Sequence, residues 1–153
     1  MKHPIVKILL GIIVFFAVIQ LIPVDFTNKP VKKSENFVDL FQTPGNIRQT
    51  LKNSCYDCHS NETEYPQYVK IAPISWSIKH HVNEGREHLN FSEWGTFNQD
   101  LKRNMLENSI ADLQQNRMPK EGYVAQHPEA RLTPEAKNDL INYLSELLKS
   151  GTY

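Results

Sequence analysis

Cysteine is almost absent from this sequence, whose 153 residues include only Cys55 and Cys58. A disulfide framework needs several cysteines spread along the chain, so this pair excludes one. An excess of charge is missing as well, since 17 lysines and arginines balance 17 aspartates and glutamates. Without a basic face there is no electrostatic case for binding nucleic acid. Two thiols this close in sequence indicate a cofactor, a metal or a redox couple instead.

Strand-like alternation of apolar and polar residues is also missing, as are internal repeats and low-complexity tracts. Apolar residues recur at helical spacing instead, which predicts helices over residues 46–54, 73–88 and 99–115. A last helix has Thr133 as its N-cap, Pro134 at its first position and Gly151 at its end. The sequence therefore predicts an all-α domain.

One long apolar run lies at the N-terminus, from Ile5 to Val24, with Lys7 as its single charge. As a helix its 20 residues would span about 30 Å, the thickness of the hydrocarbon core of a bilayer. No small-residue cleavage site follows, as a signal peptide would require. We expect residues 1–24 to be an uncleaved transmembrane anchor, with a cleaved signal peptide or a buried core helix as the alternatives.

The rest of the chain is expected to divide into two parts. Residues 25–45 are polar and punctuated by prolines, so we predict a linker there, and residues 46–153 then form the helical domain. Lys2 and Lys7 on the short side of the anchor predict an N-terminus in the cytoplasm. This gives a single-pass protein of the cytoplasmic (inner) membrane, with its domain in the periplasm.

The sequence Cys55-Tyr56-Asp57-Cys58-His59 matches C-x-x-C-H, the pattern that attaches haem c. Two cysteines on one turn present their sulfurs to the two vinyl groups at one porphyrin edge. The histidine beside the second cysteine then lies under the iron and binds it axially. The motif predicts one covalent haem c on Cys55 and Cys58, with His59 as the proximal iron ligand.

Three other interpretations of the motif stay open. A thioredoxin-like cysteine pair normally opens a helix after a strand, and no strand is predicted before Cys55. A zinc site would recruit both cysteines together with His80 and His88. It would leave His59 without a role. Chance occurrence of a five-residue pattern is the third alternative.

The second axial ligand of the iron has six candidates: Met105, Met118, His80, His81, His88 and His127. Met118 is favoured because it lies beyond the third long helix and is followed by Pro119, so its thioether can turn to the iron. Met105 occupies an apolar helical position and is expected in the core. His81, which shares a helix face with His88, is the main alternative ligand. An open coordination position is the remaining possibility.

Aromatic and basic residues near the motif are candidates for contacts with the porphyrin. The aromatic residues would cover its faces, donate hydrogen bonds to its propionates, or pack in the core. They are Tyr65, Tyr68, Trp76 and Trp94. Arg86, Lys70 and Lys79 are the candidates for pairing with a propionate, and the sequence does not choose among them.

Several stretches of the chain carry a resemblance to a known family. They are residues 51–63 around the motif, 71–76, 80–86, 89–94 and the pair Met118-Pro119. Together with the anchor they resemble the bacterial haem-binding domain proteins of the cytochrome c type. The likeness covers most of residues 40–150. It implies a small helical, cytochrome c-like haem domain whose attachment motif falls on Cys55, Cys58 and His59.

The function predicted from these features is covalent haem c binding and single-electron transfer at the outer face of the cytoplasmic membrane. With His59 and Met118 on the iron, both axial positions are filled, so we expect an electron carrier and not an enzyme. Its expected partners are redox proteins of the respiratory chain and the membrane. The alternative is a haem-based sensor or small-molecule binding module with an open or displaceable sixth position. An accessory subunit with a structural haem is a third possibility.

Overall fold

The computed structural model describes residues 4–153, which form eight α-helices and three short 3-10 helices. The α-helices are α1 (Pro4–Ile19), α2 (Phe37–Leu40), α3 (Gly45–Ser54), α4 (Tyr56–His59), α5 (Ile74–His88), α6 (Gln99–Gln114), α7 (Glu121–Gln126) and α8 (Pro134–Ser150). The 3-10 helices are Gln67–Lys70, Phe91–Thr96 and Pro128–Ala130. The described chain contains no strand, so the all-α prediction is confirmed.

Local sequence signals explain where the two longest helices of the domain begin. The Asn98 side chain accepts a hydrogen bond from the Leu101 N–H (2.9 Å) at the start of α6. Thr133 Oγ1 accepts one from the Ala136 N–H (3.1 Å) at the start of α8. Gly151 follows α8 in the left-handed conformation, with φ 68°. Asn98 and Thr133 thus each satisfy a main-chain N–H that has no partner within its helix, and Gly151 ends α8. The predicted caps of α8 are confirmed.

The core lies where α3 and α6 pack against α8. Leu140 and Leu144 of α8 are each 1% exposed, and Leu51 of α3 is equally buried. Phe37, from the segment predicted as a linker, is fully buried in the same core. Its ring meets that of Trp94 edge to face at 5.0 Å. Residues 25–45 thus contribute a helix and a central aromatic residue to the packing around the motif.

The prediction of a transmembrane anchor is wrong. Within residues 4–153, no helix combines the length and the apolarity that crossing a membrane requires. The apolar run is not one continuous helix, because α1 has 16 residues and ends at Ile19. At 1.5 Å per residue this gives about 24 Å, shorter than the ~30 Å hydrocarbon core.

A tertiary contact fixes the point where α1 ends. The side-chain amide of Gln20 donates to the carbonyl oxygen of Ala72 (3.1 Å) and accepts from its N–H (2.9 Å). The predicted single-pass topology, with a cytoplasmic N-terminus and a periplasmic domain, is corrected together with the anchor. Met1, Lys2 and His3 of that predicted segment lie outside the described residues.

Candidate functional site: the Cys55–His59 turn

The C-x-x-C-H motif forms one tight helical turn directly after α3. Cys55 caps α3 with non-helical dihedral angles (φ −130°, ψ −38°), and α4 follows at once. The carbonyl oxygen of Cys55 accepts hydrogen bonds from the N–H groups of Cys58 (3.2 Å) and His59 (2.9 Å). The structure thus brings the three predicted attachment residues onto one turn.

Both cysteines are free thiols and partly buried. Burial raises the pKa of Cys55 to about 12. Burial, assisted by the neighbouring Asp57 carboxylate, also raises the pKa of Cys58. A raised pKa disfavours the thiolate that a thioredoxin-like redox pair uses.

The zinc interpretation also needs histidines beside the thiols. In the part of the chain that the structure describes, no group of three or more histidine, cysteine, aspartate and glutamate side chains is placed to hold a metal ion. The zinc site with His80 and His88 is therefore not formed.

The His59 ring is held by two main-chain carbonyl groups at the end of α5. Its Nδ1 lies 2.8 Å from the oxygen of Gly85 and 3.1 Å from the oxygen of Leu89. Both partners only accept hydrogen bonds, so Nδ1 must carry the proton and Nε2 keeps its lone pair. Burial lowers the pKa of His59, which favours the neutral ring. A neutral, oriented imidazole with a free Nε2 is the form that binds iron.

Gly85 allows this arrangement because it has no side chain. A Cβ atom built at this position would lie 2.5 Å from the carbonyl oxygen of Cys58, and real Cβ atoms do not approach main-chain atoms so closely. The absence of a side chain lets α5 lie against the attachment turn. Gly85 is therefore a positioning residue twice, through its missing Cβ and through the carbonyl group that accepts from His59.

A network of hydrogen bonds ties α5 to the loop that follows the motif. Arg86 donates from Nε to the carbonyl oxygen of Ser60 (2.7 Å), and from Nη2 to Thr63 Oγ1 (2.9 Å) and Asn28 Oδ1 (2.7 Å). Thr63 Oγ1 in turn donates to the carbonyl oxygen of Asp57 (2.6 Å). Among the candidate propionate partners, Arg86 is thus occupied in bracing this loop.

The opposite side of the motif meets α7. Tyr123 donates from its hydroxyl to Asp57 Oδ2 (2.7 Å), while the Glu64 N–H donates to Asp57 Oδ1 (3.0 Å). Asp57 is one of the two residues between the cysteines, so α7 is bonded to the motif itself. These side chains line a cleft of about 550 Å³ beside the turn.

A neutral histidine with one free nitrogen, flanked by two free thiols on one turn, fits the donor set of a covalent haem. The family model described as haem-binding domain matches residues 14–146 of the chain. The chain belongs to the haem-binding domain family. No curated protein and no solved structure matches it. Family membership indicates haem as the cofactor and confirms the coarser part of the resemblance found in the sequence.

Met118 of this haem-binding domain lies half-buried between α6 and α7. Two charges from this part of the chain act on the pKa values of the motif. The Asp112 carboxylate, near the end of α6, partly opposes the lowering of the pKa of His59. The Lys120 ammonium, two residues after Met118, partly opposes the rise in the pKa of Cys58. Met105, in contrast, is 7% exposed and belongs to the core of the haem-binding domain.

The α5 histidines of the haem-binding domain point towards solvent. His80 and His81 have side chains that are 71% and 53% exposed, and both lie within 4 Å of the Glu84 carboxylate (3.9 and 3.6 Å). His88 is exposed at the end of α5. His81, the alternative ligand, is therefore on the outer surface of α5 in this structure.

Within residues 4–153, three aromatic side chains of the haem-binding domain carry buried polar atoms without a hydrogen-bond partner: the Tyr65 hydroxyl and the Nε1–H groups of Trp76 and Trp94. Lys79 extends over the Tyr65 ring, with Nζ 5.9 Å from its centroid. Trp94, whose Nε1–H is also unpartnered, is 1% exposed and packs in the core. Buried donors normally have an acceptor, so Tyr65 and Trp76 fit the role of donors to a haem carboxylate better than Trp94.

Sequence reasoning missed the roles of Gly85 and of the Asp57–Tyr123 pair in the haem-binding domain. Gly85 lies inside a predicted helix, where glycine costs stability relative to alanine, and that cost was the available signal. No local signal indicated Tyr123, because it lies 66 residues from Asp57 in the sequence.

Proposed function

We propose that this haem-binding domain attaches one haem covalently through Cys55 and Cys58 and transfers single electrons. The observation that carries the proposal is the turn that places two free thiols beside His59, whose Nδ1 is committed to carbonyl oxygens and whose Nε2 is free. When bound, the haem supplies an iron that alternates between the ferric and ferrous states. The remaining chemistry belongs to the chain.

Attachment needs no oxidant and releases nothing. The S–H of each cysteine would add across one vinyl double bond, so that a C–S bond and a C–H bond would replace the S–H bond and the second bond of the vinyl group. Burial raises the pKa of both thiols. The short turn from Cys55 through α4 would present both sulfur atoms to one edge of the haem.

His59 would ligate the iron through Nε2 and Met118 through its thioether. The carbonyl groups of Gly85 and Leu89 orient the imidazole without charge, and a methionine opposite it favours the reduced state relative to a second histidine. With two protein ligands there is no free position for a substrate. The domain therefore acts as an electron carrier and not as an enzyme, and we propose that redox proteins of the respiratory chain are its donor and acceptor.

Donors for the haem carboxylates complete the proposal. The unpartnered Tyr65 hydroxyl and Trp76 Nε1–H would be satisfied by a propionate, and Lys79 beside Tyr65 would balance its charge. Burial raises the pKa of Tyr65, so the phenol remains a donor at neutral pH. Arg86 is left to the loop that it braces.

Covalent attachment is tested on the protein matured with haem and then denatured. We expect the Cys55→Ser and Cys58→Ser variants each to lose one thioether, and the double variant to release all of its haem. Haem staining after denaturing electrophoresis and the mass of the intact chain are the measurements. His59→Ala tests the proposed iron ligand, and His88→Ala, which changes an exposed histidine, is its control. Haem that stays bound to the denatured double variant would contradict the attachment model.

Methionine ligation is tested with a matched pair of substitutions. We expect Met118→Leu to abolish the weak long-wavelength band that a methionine–iron bond gives to ferric haem, and to open the reduced iron to carbon monoxide. Met105→Leu changes a core methionine at nearly constant volume and should leave the spectrum intact, at a cost below about 1.5 kcal/mol. An unchanged spectrum in Met118→Leu would exclude Met118 as the ligand. Carbon monoxide binding to the unmodified reduced protein would favour a sensor.

A further inference from the structure

The segment that carries Met118 is attached to the rest of the domain mainly at its ends. We call residues 116–127, which include α7, the strap. At its start, Arg117 pairs with Asp112 through Nη2 (2.6 Å), and Asn116 Oδ1 accepts from Lys137 Nζ (2.8 Å). Within residues 4–153, no hydrogen bond joins residues 118–122 to a residue outside the strap. The position of Met118 therefore depends on the two ends.

The far end of the strap is bonded to the attachment turn. Tyr123 donates its hydroxyl to Asp57 Oδ2 (2.7 Å), and its ring stacks on His127 with centroids 4.4 Å apart. Burial and the hydrogen bond to Asp57 raise the pKa of Tyr123, so the phenol remains a donor. α7 otherwise packs on the 3-10 helix Pro128–Ala130, which rests on α3.

Asp57 is also held by hydrogen bonds that do not involve Tyr123. Its Oδ1 accepts from the Glu64 N–H (3.0 Å), and its carbonyl oxygen accepts from Thr63 Oγ1 (2.6 Å). The carboxylate therefore presents Oδ2 to the strap from a fixed turn. A hydrogen bond to an ionised acceptor is stronger than a neutral one, which suits a contact that must hold an otherwise loosely attached segment.

We propose that the Asp57–Tyr123 hydrogen bond positions the strap so that the Met118 thioether stays on the haem iron. This inference rests on the proposed function, because it assumes Met118 as the distal ligand. A thioether is a weak ligand, so its occupancy depends on how well the chain holds it in place. Asp57 and Tyr123 are positioning residues, and one side chain inside the attachment motif thereby controls the opposite face of the haem.

The test uses the full-length ferric haem protein and imidazole as the competing ligand. Tyr123→Phe removes one oxygen and keeps the ring, and we expect it to raise the apparent affinity for imidazole about tenfold, as expected for losing one hydrogen bond to a charged group. The long-wavelength methionine band should disappear at correspondingly lower imidazole concentrations. Tyr153→Phe is the matched control, since the Tyr153 hydroxyl also bonds a charged group, accepting from Arg103 Nε (2.8 Å), and lies outside the strap and the motif.

A second variant and a second measurement guard against a general loss of structure. Asp57→Ala should reproduce the shift, and the double variant with Tyr123→Phe should not exceed Asp57→Ala alone, because that variant already lacks the contact. Hydrogen–deuterium exchange in residues 117–126 should accelerate, while exchange in α5 and α8 stays unchanged. A tenfold shift without faster exchange in the strap would also overturn the proposal.

The two proposals fail in different ways. If Met118→Leu leaves the ferric spectrum unchanged, the distal ligand is wrong and the positioning role falls with it. If Met118→Leu changes the spectrum but Tyr123→Phe binds imidazole like Tyr153→Phe, ligation stands and the positioning role is overturned.

Discussion

The attachment turn is held differently on its two sides. On the α5 side, main-chain groups make the contacts to His59, through the carbonyl oxygens of Gly85 and Leu89, and a Cβ added at Gly85 would lie 2.5 Å from the Cys58 carbonyl oxygen. On the strap side, a side chain makes the contact, through Tyr123 on Asp57, and the Arg117–Asp112 pair joins the start of the strap to α6. A main-chain contact can be broken only by moving the helix, whereas a side chain can rotate away by itself. His59 is therefore held by main-chain groups, and the strap is the side that can adjust.

The largest difference between the two sides should appear when alanine replaces a glycine on each. Gly85→Ala forces a Cβ against Cys58, and we expect it to cost about 3 kcal/mol, as overpacking of a rigid contact does. Gly122→Ala, in the strap, adds a Cβ that meets nothing within 4 Å. There we expect a gain of about 0.5 kcal/mol from helix propensity. Urea unfolding of both variants is the measurement, and equal costs would show that the two sides do not differ.

A smaller difference is expected between two arginines. Arg86→Lys keeps the charge but loses the forked geometry that reaches Ser60, Thr63 and Asn28, at a cost of about 2 kcal/mol. Arg117→Lys alters a largely exposed ion pair and should cost below about 0.5 kcal/mol. Thermal unfolding of the two variants in the same buffer gives the comparison. A greater loss in Arg117→Lys would reverse our assignment of the rigid side.

The smallest expected effect is the pH-dependent contribution of Glu93 to the free energy of unfolding. Burial opposes ionisation of Glu93, but hydrogen bonds from Asn61 and Lys29 outweigh it and hold the pKa of Glu93 below its ordinary value of 4.5. The stabilisation is therefore present above pH 4.5 and is lost as the pH falls through the lowered value. We expect Glu93→Gln to cost below about 1 kcal/mol at neutral pH. Urea unfolding of the wild type and variant should converge in acid, and a constant gap would contradict the assignment.

Features that depend on residues close together in the sequence could be predicted. The spacing of Cys55, Cys58 and His59 predicted that they share one turn, and they do so in the structure. Thr133 and Gly151 gave the ends of α8 for the same reason, since a cap bonds residues within a few positions of itself. The fold class and the attachment residues of the candidate site belong to this local part.

Features that join distant residues could not be predicted. Phe37 looked like part of a polar stretch, and its burial depends on Trp94, 57 residues later by their numbers. The apolar run looked long enough to cross a bilayer, but α1 ends where Gln20 bonds Ala72, 52 residues away. The Asp57–Tyr123 contact is of the same kind. Sequence periodicity gives the helices, while these pairings decide where a helix ends and which loops are held.

Gly85 also bears on how such a domain can diverge. The position must lack a side chain so that the Cys58 carbonyl can approach, and it must present its own carbonyl oxygen to His59. Any residue supplies the second feature, but glycine alone supplies the first. Substitutions of neighbouring side chains cannot relieve this constraint, because the atoms that a Cβ at position 85 would approach most closely belong to the main chain of Cys58. Among relatives that keep the attachment turn, we expect this glycine to be as invariant as the histidine it orients.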